Sequence, residues 1–383
     1  MSGRAKSILF AISDTGGGHR SAAQAIIAAL ERQGGSNSTV LDLLRATNVP
    51  GLKQAPEIYD FCSKHHLWLS NLFFRHTNSV RRITDMTELV YTRSQPYIDR
   101  EIMLAQPDVA VSVHPLVTGL LCKVRGKLRA DWPIITVVTD LVSLHASWAT
   151  PGADLYLAPT DEAVRVLKYF GVPEGRIILS GFPVHPKFAA YQASQRQARQ
   201  ELGIATDRFT ILLTGGGVGA GNMLDWANTL HAGCPDCQLI VVTGNNKALF
   251  ARLSEGITPS GRLKVLGFVD NMERLMAASD IVITKAGPGT IMEAVTMRRP
   301  LIVTGAVGIQ ESGNIDFVRE NKLGFHCPTP AAACRRILEV AAGMESVHGQ
   351  DVPLGGAERI TDIIRCHANE TTAPGDIRVS LGA

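Results

Sequence analysis

Three groups of residues in this chain have the types and spacing to do chemistry together. The first is a candidate base. His19 closes Ser13-Asp14-Thr15-Gly16-Gly17-Gly18-His19-Arg20, which lies between the apolar run Ile8–Ile12 and the alanine-rich stretch Ser21–Leu30. These compositions predict strand, glycine turn and helix in that order. At a helix N-terminus an imidazolium is disfavoured, so His19 is expected to stay neutral and able to accept a proton near pH 7. Asp140 follows the apolar run Pro133–Thr139, at the carboxyl end of a strand, where open α/β sheets gather ligands. It is the rival base, or the group that orients His19.

The second group has the composition of a phosphate and ribose site. Phe209–Thr214 runs into Gly215-Gly216-Gly217-Val218-Gly219-Ala220-Gly221, a repeat of the opening device whose backbone N–H groups are suited to phosphate. It lacks the Gly-Lys-Ser/Thr ending of a P-loop, which disfavours nucleotide hydrolysis of that type. Lys285-Ala286-Gly287-Pro288-Gly289-Thr290 opens a helix with Glu293 one turn inside. Its helix start can face a diphosphate, with Lys285 as a contact or a cap, while a carboxylate at Glu293 can accept both hydroxyls of a ribose. The third group, Gln310, Glu311 and Asn314, offers the mixed donors and acceptors that a polyhydroxylated sugar demands. Together the three describe a nucleotide-sugar site facing a base.

The elements that must carry these groups alternate strand and helix in both halves, which predicts doubly wound parallel sheets. The polar run Gln192–Gln200, with Pro183 and Pro186 before it, marks a boundary. The expected organisation is a first domain over 1–185, a linker over 186–200, a second domain over 201–360, and a C-terminal helix and tail over 361–383 that crosses back to the first domain. Gly16-x-Gly18-x-x-Ser21 with Asp42 at the end of the second strand is a loose dinucleotide fingerprint. A dehydrogenase reading built on it gives no role to Glu293 or to Gln310–Asn314.

Composition sets outer limits. The 383 residues, 45% hydrophobic and 19% charged, are those of a globular chain long enough for two domains. A net charge of +3 is too small to make nucleic acid the expected partner. No apolar run approaches the roughly 20 residues that span a bilayer, and the seven cysteines have no framework spacing, so a cytoplasmic chain with reduced thiols is expected. Residues 55–95 stand apart: Tyr59, His66, Trp68, Phe73 and their apolar neighbours precede Arg81 and Arg82. Such a segment suits either a helix in a lipid interface or a core helix with a solvated end. Lys123, Arg125, Lys127 and Arg129 form a basic cluster that suits anionic head groups or a solvated face. His114 ends another strand, and His145 and Trp148 occupy the loop after Asp140; the two histidines are expected to be acceptor-pocket or structural residues, and Trp148 to lie against a lipid or in the core.

In combination these motifs resemble a known family. Asp14–His19, Val113-His114-Pro115-Leu116, Thr139-Asp140-Leu141, Pro183-Val184, Gly267-Phe268-Val269, Thr284–Thr290 and Gln310-Glu311-Ser312-Gly313-Asn314 resemble the monogalactosyldiacylglycerol synthases of glycosyltransferase family 28. That family also includes processive diacylglycerol glucosyltransferases and, more distantly, the lipid-II-forming N-acetylglucosaminyltransferase. The resemblance implies a GT-B fold, two Rossmann-like domains facing a central cleft, with the lipid acceptor on the first and the UDP-sugar on the second. It implies an inverting transfer of a hexose, galactose favoured over glucose, from UDP-galactose or UDP-glucose to diacylglycerol, with no essential metal or other cofactor. Glu293 would then hold the ribose, Gln310, Glu311 and Asn314 the hexose, and Gly216 and Gly217 the diphosphate region. Gly17 and Gly18 would let acceptor and diphosphate approach each other. The 55–95 segment would engage the cytoplasmic face of a membrane, with anionic lipids as partners. The competing readings are a UDP-sugar 2-epimerase of the same fold and a non-catalytic UDP-sugar or lipid binder.

Overall fold

The computed structural model describes residues 5–369 apart from 16, 56, 59–60, 63–65, 217–221, 257–260, 345–346, 348 and 350–351. Tyr59 and Gly217 of the expected site therefore lie outside the described residues. The first domain runs β1 (Lys6–Ile12), α1 (Gly18–Gln33), β2 (Ser36–Asp42), α2 (Leu67–Thr77), α3 (Val80–Ala105), β3 (Val109–Ser112), α4 (Thr118–Leu128), β4 (Ile134–Val137), β5 (Leu155–Ala158), α5 (Asp161–Tyr169) and β6 (Ile177–Leu179). Then follow α6 (Pro186–Ala190), α7 (Gln195–Glu201), β7 (Thr210–Thr214), α8 (Met223–Gly233), β8 (Gln238–Val242), α9 (Lys247–Gly256), β9 (Leu263–Leu266) and α10 (Met272–Ala278). The chain continues through β10 (Ile281–Thr284), α11 (Pro288–Thr296), β11 (Leu301–Val303), α12 (Ile309–Glu320), β12 (Gly324–His326), α13 (Pro330–Ala341) and α14 (Gly356–Asn369).

Each domain is built on a six-stranded parallel sheet, in the orders β2-β1-β3-β4-β5-β6 and β12-β11-β10-β7-β8-β9. Strands covered by helices on both faces read as continuous apolar runs, and Ile8 to Ile12 of β1 are wholly buried, as are Ile281 to Ile283 of β10. The strand order reverses between β1 and β3 in the first sheet and between β7 and β10 in the second. Crevices open at the carboxyl ends of the strands at such reversals. The loop leaving β1 leads into His19 at the start of α1 and that leaving β3 carries His114; those leaving β7 and β10 carry Gly216 and Lys285–Gly287. The two sheets are the two Rossmann-like halves of a GT-B fold.

The expected linker is not a free connection. Pro186–Ala190 and Gln195–Glu201 are helical, and Phe188, Ala198 and Leu202 join the apolar core of the second domain. Ser194 and Gln197 form a capping box at the start of α7. At the far end of the chain, α14 packs on α1 of the first domain, with Ile360, Ile364 and Ala368 in that domain's core and Arg365 donating to the Gly34 carbonyl at 2.8 Å. All seven cysteines are free thiols, and Cys234 and Cys237 are buried against the second sheet.

Candidate active site

The opening glycine turn is held from both ends. Arg20 donates to both oxygens of Asp14, at 2.5 and 2.8 Å, while Asp42 accepts the Asp14 backbone N–H at 3.2 Å and that of Arg45 at 3.0 Å. The Asp42 carboxylate thus braces the turn, which accounts for it without a ribose. Gly17 caps α1 at φ 76°, a left-handed conformation that strains any residue with a Cβ. No side chain caps α1, so its first-turn N–H groups open toward the cleft.

His19, in the first turn of α1, is half-buried. Its Nδ1 lies 3.0 Å from Thr139 Oγ1, and its ring meets that of His114 edge-on with centroids 4.5 Å apart. Burial lowers its pKa to about 4, opposed by a hydrogen bond to the Val113 backbone, so the ring is neutral at pH 7. His114 is buried; its Nδ1 accepts the Leu116 N–H at 3.2 Å, which leaves the ring proton on Nε2, directed at Thr15 Oγ1 2.9 Å away. Burial and the neighbouring His19 push His114 well below the usual histidine range. It is a fixed neutral strut under the turn.

Asp140 behaves oppositely. Burial raises its carboxyl to about 7; the Trp148 indole N–H, donating to Oδ2 at 2.7 Å, lowers it, and the negative charge of Glu311 across the cleft raises it further. A carboxylate with a proton affinity near neutral pH is suited to general base catalysis. Trp148 is wholly buried in the first core, so the structure corrects the lipid-facing alternative: its ring packs inside and its N–H holds Asp140. His145 is buried as well, with Nε2 3.1 Å from Thr77 Oγ1 and Nδ1 2.7 Å from Ser147 Oγ. Burial lowers it to about 4, and it fixes the short 3₁₀ turn Ala146–Ala149 that carries Trp148.

On the second domain, α11 and α12 start on glycines, Gly287 and Gly308, again without a side-chain cap. Away from the cleft, Thr160, Ser194 and Thr329 cap α5, α7 and α13. Glycine-capped helix starts at the cleft leave N–H groups for an anion, and those of Gly289 and Thr290 have no intrahelical acceptor. Lys285 forms an ion pair with Glu311 and lies beside Gly216, where an added Cβ would sit 3.7 Å from Lys285 Cε. Glu311 is buried and also accepts the Val307 N–H at 2.8 Å. Glu293, half-buried, has no hydrogen-bond or ion-pair partner among the described residues, and burial raises its carboxyl to about 7. Gln310 donates to the Val307 carbonyl at 3.2 Å. Asn314 is wholly buried and donates to the Ala286 carbonyl at 2.8 Å, so it shapes the loop before α11 instead of lining open cleft; its Oδ1 is unpaired.

The aromatic segment forms α2, whose Trp68 (65% exposed), Leu69, Leu72 and Phe73 all stand in solvent, as do His66, Arg81 and Arg82 beside it. Core packing does not account for that face. The basic cluster of α4 is different: Lys123 pairs with Glu88, Arg125 with Asp154 and Lys127 with Asp99 at 3.4 Å. Thr139, which holds His19, and Asn71 and Ser143, which touch α12, were not marked by sequence pattern; only the position of Thr139 next to Asp140 at a strand end was a signal.

The chain has a two-domain GT-B fold, with His19 at one switch point and the uncapped glycine start of α11 at the other. Residues 19–184 match the family described as Monogalactosyldiacylglycerol (MGDG) synthase, and residues 210–305 the Glycosyltransferase family 28 C-terminal domain. Monogalactosyldiacylglycerol synthase, chloroplastic, of Spinacia oleracea is 33% identical over 346 residues, 87% of this chain and 66% of that protein. Monogalactosyldiacylglycerol synthase 2, chloroplastic, of Arabidopsis thaliana is 32% identical over 88% of this chain and 74% of its own. The chain belongs to the monogalactosyldiacylglycerol synthase family. It spans 66% and 65% of the length of the Spinacia oleracea and Glycine max relatives. Among solved structures, UDP-GlcNAc 2-epimerase from Neisseria meningitidis bound to UDP-GlcNAc aligns with a TM-score of 0.59 at 12% identity, over 94% of this chain and 98% of that one. MurG of Acinetobacter baumannii aligns with a TM-score of 0.54 at 14% identity, over 94% and 99%. These two share the fold.

Proposed function

We propose that the chain is a UDP-sugar-dependent hexosyltransferase that moves a hexose, galactose in preference to glucose, to the hydroxyl of 1,2-diacylglycerol with inversion at a membrane surface. The observation that carries this reading is the seating of α12, whose Glu311 pairs with Lys285, on the loop that follows Asp140, where the Gly313 N–H lies 3.2 Å from Ser143 Oγ. The family relationship supports the donor and acceptor classes.

In this reading the acceptor oxygen attacks the anomeric carbon, the bond from that carbon to the UDP oxygen breaks, and the hydroxyl proton passes to Asp140. The carboxylate is the base because its proton affinity matches neutral pH, whereas His19 is held neutral with low affinity. His19 and Thr139 orient the acceptor. The charge growing on UDP meets the free N–H groups of Gly289 and Thr290 and the Lys285 ammonium, so the reaction requires no metal ion. The unpaired Glu293 carboxylate takes the ribose hydroxyls. The exposed face of α2 rests in the lipid, where the acceptor resides.

The test is incubation of the full chain with a mixture of UDP-sugars and diacylglycerol vesicles, followed by mass spectrometry of the lipids. Monohexosyldiacylglycerol is expected. Free or epimerised sugar without glycolipid would turn the reading to an epimerase, and binding without turnover to a sensor.

A further inference from the structure

One helix, α12, carries Gln310, Glu311 and Asn314, and it is also where the second domain touches the first. The touch is made at two points. The Ile309 N–H, at the open start of α12, donates to Asn71 Oδ1 at 3.1 Å. One turn on, the Gly313 N–H lies 3.2 Å from Ser143 Oγ, in the loop that follows Asp140.

Gly313 sits within a regular helix, so no unusual backbone angle calls for glycine there. Its neighbour does: an added Cβ would lie 2.6 Å from Ser143 Oγ, 2.7 Å from Val142 Cγ1 and 2.8 Å from Val142 Cβ. A helical glycine is otherwise unfavourable, and here its missing side chain lets the loop beside Asp140 seat directly on α12. Glu311 lies between the two contact points, at the place from which its charge reaches Asp140.

Asn71 belongs to α2. Leu67, Ser70, Asn71, Phe74 and Thr77 recur at helical spacing on its covered side, while Trp68, Leu69, Leu72 and Phe73 form the exposed side. The covered side also meets His145, through the Phe74 ring at 4.7 Å between centroids and through Thr77. The helix that faces outward with its apolar residues thus faces inward with a cap for the donor helix.

We propose that Asn71 and Gly313 are positioning residues, the two halves of a latch that closes α12 onto the acceptor domain and sets donor sugar and base in register. The proposal rests on the transferase reading for its kinetic consequence but not for its geometry. Asn71 supplies an acceptor oxygen to the start of α12 from the helix that meets lipid, and Gly313 supplies the space that closure needs.

The experiment uses the full chain and four proteins: wild type, Gly313→Ala, Asn71→Ala and Asn71→Asp. Alanine favours helix, so Gly313→Ala should still fold with both domains intact, read as a wild-type circular dichroism spectrum. Small-angle X-ray scattering with UDP bound should show a larger radius of gyration for Gly313→Ala and Asn71→Ala. Both should lose kcat on diacylglycerol vesicles by tenfold or more, with UDP affinity by calorimetry within about threefold of wild type. Asn71→Asp keeps the acceptor oxygen and should retain at least half of kcat. Scattering and kcat equal to wild type in both alanine variants, an Asn71→Asp as impaired as Asn71→Ala, or a parallel fall in UDP affinity would each overturn the latch. A wild type that forms no glycolipid from UDP-galactose or UDP-glucose would overturn the transferase reading alone, and the scattering would still decide the latch.

Discussion

At the scale of residues, the site is a set of opposed proton affinities. His19, His114 and His145 are all driven down by burial, while Asp140 and Glu293 are driven up, each to about 7. A base at Asp140 works when it has lost its proton, so kcat/KM should rise with pH through a limb near 7. The groups that act on Asp140 are the Trp148 indole and, across the cleft, Glu311, which is itself paired with Lys285. Glu311→Gln removes the negative charge that opposes ionisation of Asp140, and the limb should move to lower pH; a pH profile of the variant checks this. A limb near 4 that ignores Glu311→Gln would make His19 the base. Asp140→Asn should lower kcat by about 10²–10⁴-fold with UDP binding retained. Part of this was legible in the sequence, because glycine turns and strand ends announce ligand positions: His19 lies against Thr139 beside Asp140, and Lys285 pairs with Glu311. The partners were not. Trp148 looked like a lipid contact because nothing in its neighbours shows that its indole reaches back eight residues to Asp140, and Asn314 looked like a sugar contact because a polar side chain in a glycine-rich loop does not reveal its burial.

At the scale of elements, two helices that meet the cleft start on glycine with no side-chain cap, α1 on Gly17 and α11 on Gly287, while the glycine start of α12 is capped from the other domain by Asn71. Open starts at both switch points are what a diphosphate between two domains needs. In the proposed function the outer face of α2 is the second working element, the one that enters lipid. Moving a large apolar side chain out of water is worth about 1.5–3 kcal/mol, so Trp68→Ser with Phe73→Ser should weaken vesicle binding by at least tenfold in a flotation assay while leaving UDP affinity unchanged. An unaltered partition would show that α2 does not enter lipid. The apolar runs made the strands readable, and the helix-forming stretches made most helices so. The run from 192 to 200 misled because its polarity conceals packing: Arg199 is buried and pairs with Asp280 at 2.6 Å, and Asp280 in turn accepts the Thr210 N–H at the start of β7. A buried ion pair is invisible to a reading based on composition.

At the scale of the molecule, the two domains are tied through α6 and α7, through α11 against α1, through the contacts of α12, and through α14 lying on α1. The last is structural. Ile364 is wholly buried in the first domain's core although it is encoded beyond the second, so Ile364→Ala should cost about 2–5 kcal/mol, read as a lowered unfolding midpoint in urea. No helix among the described residues is long and apolar enough to cross a membrane. Two parallel sheets were foreseeable from strand and helix alternation alone. How closely they face each other was not, because it depends on Gly313, Ser143 and Asn71, three small or polar residues whose significance exists only once the domains are in contact. Proton NMR of UDP-α-galactose reacting with diacylglycerol vesicles decides whether a hexose carried by UDP passes with inversion to diacylglycerol in this cleft: a β-galactosyl signal on the lipid should appear as UDP is released, and an α-linked product, or UDP-sugar consumed without any glycolipid, would overturn the proposed transfer.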